Sequence, residues 1–479
     1  MSRIVVISNR VSLPDEAGNP APGGLAVAVE AAMRGYDGVW FGWSGNVAES
    51  PGDLVHIQRG HVSYVLTDVR PADFEEYYQG FANGVLWPIL HYRLDLADFH
   101  EADLDGYRRV NDFFAERVGA LLEPDDIIWV HDYHLMLLAR ALRARGHHNR
   151  IGFFLHTPMP PPDLLTALPR HEEVVGALTD FDLVGFQTDN DAGNFARYLS
   201  TVMGAATADA RRYRIGERVF RIGVFPVGVD PEGLRELAAA GLDSDFAREL
   251  VASLEGRTPM IGIDRLDYSK GILCRLDGFE RFLERYPEWH DRTTFLQIAP
   301  PSRSEIAEYA NMDAAVSTKV GHINGRFGQV SWVPLRYVNR GYRRDEIAVM
   351  LRLARVALVT PLRDGMNLVA KEFVAAQDPD DPGVLVLSRF AGAAAELDAA
   401  VLINPHDRDS LADAIDVALG MPLEERRARH RELFAVLEAN HIKDWGRHFI
   451  SALTRPGRSL DQVLGRWRDA ERLKRRPPH

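Results

Sequence analysis

An α/β fold built on parallel sheets is the class this sequence predicts, and three observations carry the prediction. Short apolar runs rich in β-branched residues recur along the 479 residues, each closes on a Gly, Pro or polar turn, and a helix-like amphipathic segment follows. Parallel strands covered by helices on both faces require that alternation. Periodicity alone does not separate such short runs from buried helix, so β-branched content and flanking turns decide for strands.

The runs follow in order. Residues 4–8 (IVVIS) lead into Asn9 and Arg10, 126–130 (DIIWV) end at HDYH, 151–155 (IGFFL) at His156, and 183–186 (LVGF) at Gln187. Further along, 260–263 (MIGI) precede Asp264-Arg265, 294–298 (TFLQI) precede Ala299-Pro300-Pro301, 356–360 (VALVT) precede PLRDG, and 384–388 (VLVLS) precede RFAG. A chain of this length exceeds one hydrophobic core, so two domains are expected. The boundary falls around residues 226–258, where PVGVDP closes the first series. Residues 1–235 are read as the first domain, 236–450 as the second, and 451–479 as a charged helical tail, with packing back on the first domain as one arrangement open to it. Ligands of doubly wound sheets bind outside the carboxyl ends of strands, so the residues just after each run are the candidates.

Bulk properties exclude several function classes. The balance of 56 basic against 68 acidic residues, net -12, argues against a nucleic-acid partner. Aromatics gather instead at Trp40-Phe41-Gly42-Trp43 and Tyr77-Tyr78, a pattern read as lining for a small-ligand cleft. One cysteine, Cys274, permits neither an intramolecular disulfide nor a cysteine zinc site and suits a reducing compartment. No stretch approaches the ~20 apolar residues of a membrane span, and the first run is too short for a signal segment, so a cytoplasmic protein is expected.

The common nucleotide fingerprints are missing: there is no G-x-x-x-x-G-K-[ST], and no G-x-G-x-x-G follows the first strand. GWSGN at 42–46 falls short of a nucleophile elbow. His131, Asp132 and His134 sit too close along a strand end to converge on one ion, so no metal is expected. Asp132 is open between a structural turn and an acid or hydrogen-bonding role. Gly23-Gly24 open a helix, where bare amides accept an anion, and Arg10 places a fork-shaped cation nearby. Arg265 and Lys270 share one loop, and Arg303 follows another strand. Cations at several independent strand ends of an acidic chain point to an anionic ligand. In TPLRDGMNLVAKEF, residues 360–373, the turn is followed by a helix over 368–377 whose first amides suit phosphate, while Asp364 and Glu372 suit sugar or ribose hydroxyls. Together these describe a nucleotide-sugar pocket; Arg363 and Lys371 are left without a role.

These residues bring a family into view. VISNR, GGLAV, WFGWSG, EYYQGFANGVLWPILHYR, IIWVHDYHL, IGFFLHTP, GFQT, RLDYSKG, QIAPPSR, LVTPLRDGMNLVAKE and VLSRFAGAA occur in order, and over nearly its full length the chain resembles the bacterial trehalose-6-phosphate synthases. The resemblance implies a GT-B fold, two Rossmann-like domains facing across a cleft. It implies transfer of glucose from UDP-glucose to glucose-6-phosphate with retention, without a metal or other cofactor, by a front-face route. It assigns Arg265 and Lys270 to the donor diphosphate, Glu372 to ribose, and Tyr342 with Leu368, Val369 and Ala370 to uridine and phosphates. Asp364 and His156 hold the donor glucose, and Gly23 and Gly24 approach its phosphate side. Arg10, Tyr78, Trp87, Asp132 and Arg303 bind the acceptor. Asp132, His156, Arg265, Lys270 and Asp364 form the catalytic set. The resemblance further implies a homo-oligomer, dimer or tetramer, and a separate trehalose-6-phosphate phosphatase acting downstream. Two alternatives stay open: another phosphate-bearing acceptor such as glycerol-3-phosphate, and a regulatory relative that senses sugar phosphates without turnover.

Overall fold

Among the described residues, ten strands of the first unit form one sheet and six of the second form another. The computed structural model describes residues 3–14, 24–33, 36–209, 211–302 and 307–455. The chain divides into residues up to Pro226 joined by those from Asp444 onward, and Val227–Lys443. The boundaries expected at 235/236 and 450/451 therefore fall at 226/227 and 443/444. Among the described residues no helix is long and apolar enough to cross a membrane.

In the first unit the strands are β1 (Ile4–Arg10), β2 (Gly38–Val47), β3 (Val55–Arg59), β4 (Val62–Val69), β5 (Ile127–His131), β6 (Arg150–Phe154), β7 (Leu183–Phe186), β8 (Ala206–Asp209), β9 (Arg212–Ile215) and β10 (Arg218–Val224). Their order is β3-β4-β2-β1-β5-β6-β7-β10-β9-β8. The stretch from β4 to β10 is parallel, and β3, β9 and β8 run antiparallel to their neighbours at the two edges. The aromatic cluster at 40–43 corrects one expectation: Trp40 and Phe41 lie inside β2 and are 1% and 0% exposed, so they are core rather than cleft lining. Bulky aromatics favour a buried strand, and the glycines and serine interrupting this run had masked it.

The second unit is a six-stranded parallel sheet of β11 (Thr258–Ile263), β12 (Thr293–Ile298), β13 (Leu335–Val338), β14 (Val356–Val359), β15 (Val384–Ser388) and β16 (Val401–Ile403). Its order is β13-β12-β11-β14-β15-β16. Strand side chains alternate faces, and here both faces are buried. Val356, Leu358, Val384 and Val386 join one core, while Ala357, Val359, Leu385 and Leu387 join the other. That two-sided burial is why these strands read as unbroken apolar runs.

The helix Ile442–Thr454 returns the chain to the first unit. Trp445, Phe449 and Leu453 recur every fourth residue and are buried. Trp129 of β5 stacks on Phe449 at 4.6 Å and 12°. Gly152 of β6 and Gly185 of β7 make the contact possible, since a Cβ on either would stand 2.7 Å from the Phe449 ring. Residues 456–479, with most of the expected tail, lie outside the described residues.

Candidate active site

In the second sheet the order reverses between β11 and β14, because β12 and β13 continue on one side and β15 and β16 on the other. Such a switch point opens a crevice at the carboxyl ends of the two strands. The loop after β11 and the loop after β14 meet there. Lys270 Nζ donates to Asp364 Oδ2 at 2.5 Å, and Asn367 Nδ2 donates to the same oxygen at 3.1 Å. Both charged side chains are 13% exposed. Gly271 permits the approach: its φ is +64°, and a Cβ there would stand 2.2 Å from Thr360 O. Leu362 N donates to Ser269 O at 2.8 Å and ties the loops together. Asn367, at φ 68°, starts the helix Leu368–Ala376 without a side-chain cap. A helix leaves its first amides without intrahelical acceptors. Ala370 N reaches back to Asn367 O at 3.3 Å, so the amides of Leu368 and Val369 are the ones suited to an anion.

A buried polar platform holds these loops. Arg275, 0% exposed, lies on the apolar face of the helix Ile272–Arg285. Its guanidinium donates to Thr360 Oγ1 at 2.9 Å, Gln297 Oε1 at 2.9 Å and Asp264 Oδ2 at 2.6 Å, joining the ends of β14, β12 and β11. Burial pushes the Asp264 carboxyl up, and Arg275 and Lys270 oppose that shift. Burial also raises the Glu372 carboxyl, against the pull of Arg344. Tyr342, half-buried, packs 5.9 Å from Phe246 with Arg340 5.0 Å over its ring. Arg265 is exposed on the loop after β11.

The first sheet has its own switch point between β1 and β5. Arg10 ends β1, exposed, with its guanidinium 5.9 Å from the Trp43 ring. Asp132 follows β5 at φ 72° and ψ 168°, a region that only glycine enters without strain. The surroundings impose it: Asp132 N donates to Phe154 O at 2.8 Å, Tyr107 Oη donates to Tyr133 O at 2.6 Å, and Asn111 Nδ2 donates to His134 O at 3.1 Å. Asp132 Oδ1 in turn accepts from His156 N at 3.2 Å. His156 Nε2 meets His131 Nδ1 at 3.1 Å. Burial keeps both imidazoles neutral, pushing His131 well down and His156 down to about 3.

Beside this loop runs a π-helix, Phe74–Leu86. Such helices are rare and concentrate at functional sites. Tyr78 on it stacks against His134 at 6.0 Å and meets Trp43 edge-on at 5.4 Å. Trp87, 6% exposed, lies against His91 at 4.0 Å and Tyr133 at 5.7 Å.

Both sheets thus present cations and carboxylates at their switch points, the layout expected of a two-substrate transferase. Comparison with known proteins agrees: the model of glycosyltransferase family 20 matches residues 5–455. The chain belongs to glycosyltransferase family 20. It is 50% identical over 458 residues to the trehalose-6-phosphate synthase of Sinorhizobium fredii, covering 95% of this chain and 98% of that one. A UDP-forming α,α-trehalose-phosphate synthase from Burkholderia xenovorans, solved with glucose-6-phosphate, is 45% identical with a TM-score of 0.92 over 94% of this chain and 100% of that one. An E. coli structure bound with UDP-2-fluoro glucose is 44% identical, with a TM-score of 0.91 over 95% and 100% of the two chains. The fold is the GT-B class of α/β glycosyltransferases.

In this family-20 chain the structure brings Lys270, Asp364, Leu368 and Val369 together at one switch point, and Asp132 and His156 at the other. Gly24 opens the helix Gly24–Met33, while Gly23 and Arg303 lie outside the described residues. Ala370 is 0% exposed and joins the core, so its side chain is not a ligand contact. His131 turns to His156 and His134 to Tyr78, so HDYH does not gather into a ligand set. Among the described residues one group has ligand-type atoms within 4.8 Å of one another, Asp230, Glu232 and His441, and it lies outside both loops. Asp230 Oδ1 there already caps Gly233 N at 3.1 Å. Sequence reasoning missed Arg275, Asn367 and the His131 contact. The available signal for Arg275 was a charge on the same helical face as Ile272, Leu276 and Phe279.

Lys371 also gains a place. It is 1% exposed, and its Nζ donates to Val227 O at 2.8 Å and to Glu396 Oε2 at 2.5 Å. Glu396 Oε1 accepts from Asn440 Nδ2 at 2.7 Å, and Ile442 N donates to Val229 O at 3.0 Å. The helix Leu368–Ala376 is thereby fastened to both ends of the second unit.

Proposed function

We propose that this chain moves glucose from UDP-glucose to glucose-6-phosphate with retention of configuration, giving α,α-trehalose-6-phosphate and UDP. The observation that carries the reading is the meeting of Lys270, Asp364 and Asn367 at the start of the helix Leu368–Ala376. A lysine has three donor hydrogens, so Lys270 holds Asp364 with one and offers the others to a diphosphate. Asp364 keeps an oxygen for sugar hydroxyls, and Glu372 serves the ribose. Arg265, Tyr342 and the amides of Leu368 and Val369 complete donor binding, with Gly23 and Gly24 approaching the transferred sugar's phosphate side. Arg10, Tyr78, Trp87, Asp132 and Arg303 take the acceptor, whose phosphate needs the arginines.

In the step itself the anomeric carbon–oxygen bond to UDP breaks while the acceptor hydroxyl bonds to the same face. The hydroxyl proton passes to the departing phosphate oxygen. Charge grows on the diphosphate as the bond breaks, and Lys270, Arg265 and the helix amides meet it without reorganising; loss of one such donor typically costs about 3 kcal/mol in the barrier. That positive charge does the work a metal would otherwise do. A double displacement would instead need a carboxylate nucleophile, for which Asp132 is the nearest candidate. Dimer or tetramer assembly, a cytoplasmic setting and a downstream phosphatase complete the proposal.

The test is UDP release from a panel of nucleotide-glucose donors and sugar-phosphate acceptors, with and without chelator. UDP-glucose with glucose-6-phosphate should lead, indifferent to chelator. Preference for glycerol-3-phosphate, or binding without release, would overturn the reading. A glucosyl adduct on any carboxylate would overturn the front-face route.

A further inference from the structure

His131 takes no part in the proposed chemistry, yet it is 0% exposed and spends one ring nitrogen on His156. A neutral imidazole carries one proton, so the contact between His131 Nδ1 and His156 Nε2 contains one N–H and one lone pair. Whichever ring donates there decides what His156 offers on its other nitrogen. Two arrangements are possible. If His156 Nε2 carries the hydrogen, His131 must hold its own on Nε2, and His156 Nδ1 is a bare acceptor. If His131 Nδ1 carries it, His131 Nε2 is the bare atom and His156 keeps its proton on Nδ1.

The surroundings of His131 Nε2 discriminate between them. That atom is buried and finds no hydrogen-bond partner among the described residues. A buried N–H without an acceptor is rarer in folded proteins than an under-used acceptor. The ring beside it is Trp129, 4.6 Å away between centroids, whose own Nε1 is also buried without a partner among the described residues. An indole supplies a donor and no acceptor. Trp445 covers the pair from the return helix, 6.1 Å from His131 and 5.9 Å from His156. Neither indole supplies an acceptor, so a hydrogen on His131 Nε2 would go unmet and the bare Nε2 is favoured.

We propose that His131 is a positioning residue that fixes His156 in the Nδ1–H tautomer, so that His156 donates a hydrogen bond from Nδ1 to an oxygen of the transferred glucosyl group. The proposal rests on the reading that His156 meets that sugar. Its Nε2 is committed to His131, which leaves Nδ1 as the nitrogen for a ligand. A tautomer locked by a neighbour is the device by which metal-binding histidines are also oriented.

The full-length chain carries the test. His131→Leu removes the donor, and His131→Asn returns an amide N–H near the position of Nδ1. With UDP-glucose, His131→Leu should lose on the order of tenfold to a hundredfold in kcat/KM, the scale of a misplaced contact. UDP alone should bind it as it binds the unaltered chain, and His131→Asn should recover most of the activity. In a His156→Ala background His131→Leu should cost nothing further. Labelled with ¹⁵N-histidine, the chain should show the resonances that vanish in His156→Ala as those of an Nδ1-protonated ring. An Nε2-protonated pattern overturns the proposal, as does a His131→Leu loss that persists undiminished without His156 or one equally large for UDP binding. If His156→Ala itself keeps full activity, the underlying placement of His156 on the sugar fails instead.

Discussion

Replacing Lys371 by methionine keeps the length and most of the volume of a fully buried side chain while deleting its charge and its two hydrogen bonds. Lys371 Nζ spans Val227 O and Glu396 Oε2 at 2.8 and 2.5 Å, and Glu396 is only 13% exposed. Burial lowers the Lys371 ammonium while Glu396 holds it up, so the pair carries its charge at a desolvation cost. Removing one partner leaves Glu396 buried, with Asn440 Nδ2 still donating to its Oε1. Breaking such a pair costs about 3–5 kcal/mol, whereas replacing both members is often neutral. At roughly 2–4 °C per kcal/mol for a unit of this size, Lys371→Met should lower the unfolding transition of the second unit by about 6–20 °C. The double variant Lys371→Met with Glu396→Gln should recover most of that loss. Calorimetry of the full chain reads both. A single variant within about 2 °C of the parent, or a double variant as poor as the sum of its parts, would refute the reasoning.

Three further outcomes follow from the same geometry. Asp132→Gly should be about 1 kcal/mol more stable than Asp132→Ala in urea, because glycine relieves the φ of 72° that alanine must keep; equal stabilities would mean the backbone relaxes instead. Gly271→Ala should cost about 2–4 kcal/mol and raise the donor KM, since its Cβ would strike Thr360 O and part the two loops; unchanged melting and KM would contradict this. His131 and His156 are held below their unfolded value of about 6.5, so the unfolded chain takes up protons first as pH falls. Their contribution is therefore intact above that value and is lost below it, toward about 3 for His156. Together they should cost about 2 kcal/mol between roughly pH 6.5 and 5.5. Urea titrations at the two pH values check it, and His131→Asn should remove about half of the acid loss.

Much of the site was legible because its residues follow strand ends, where local sequence already marks a turn. Lys270, Asp364, Asp132 and His156 all lie in the turns and loops that follow an apolar run. Less legible were contacts set by what packs against what. Arg275 looked like any helical arginine until the ends of three strands closed around it. Trp40 and Phe41 looked like cleft aromatics, although they complete a core strand. The π-helix at 74–86 has no local signature that separates it from an ordinary helix; Tyr77, Phe81 and Leu86, four and five residues apart, are buried along it.

Local sequence determined the α/β class, the parallel strands of the second sheet and the turns that close them, because alternation, β-branching and glycine act within a few residues. Tertiary structure alone decided that Lys270 and Asp364, 94 residues apart, share one hydrogen bond. It also decided that residues from 444 onward return to the first sheet, where two glycines leave room for Phe449. Lys371 shows the physical reason most plainly. A lysine beside a glycine turn at a strand end reads as a surface charge or a phosphate ligand, and only the positions of Val227 and Glu396, fixed by distant parts of the chain, make it a buried fastening.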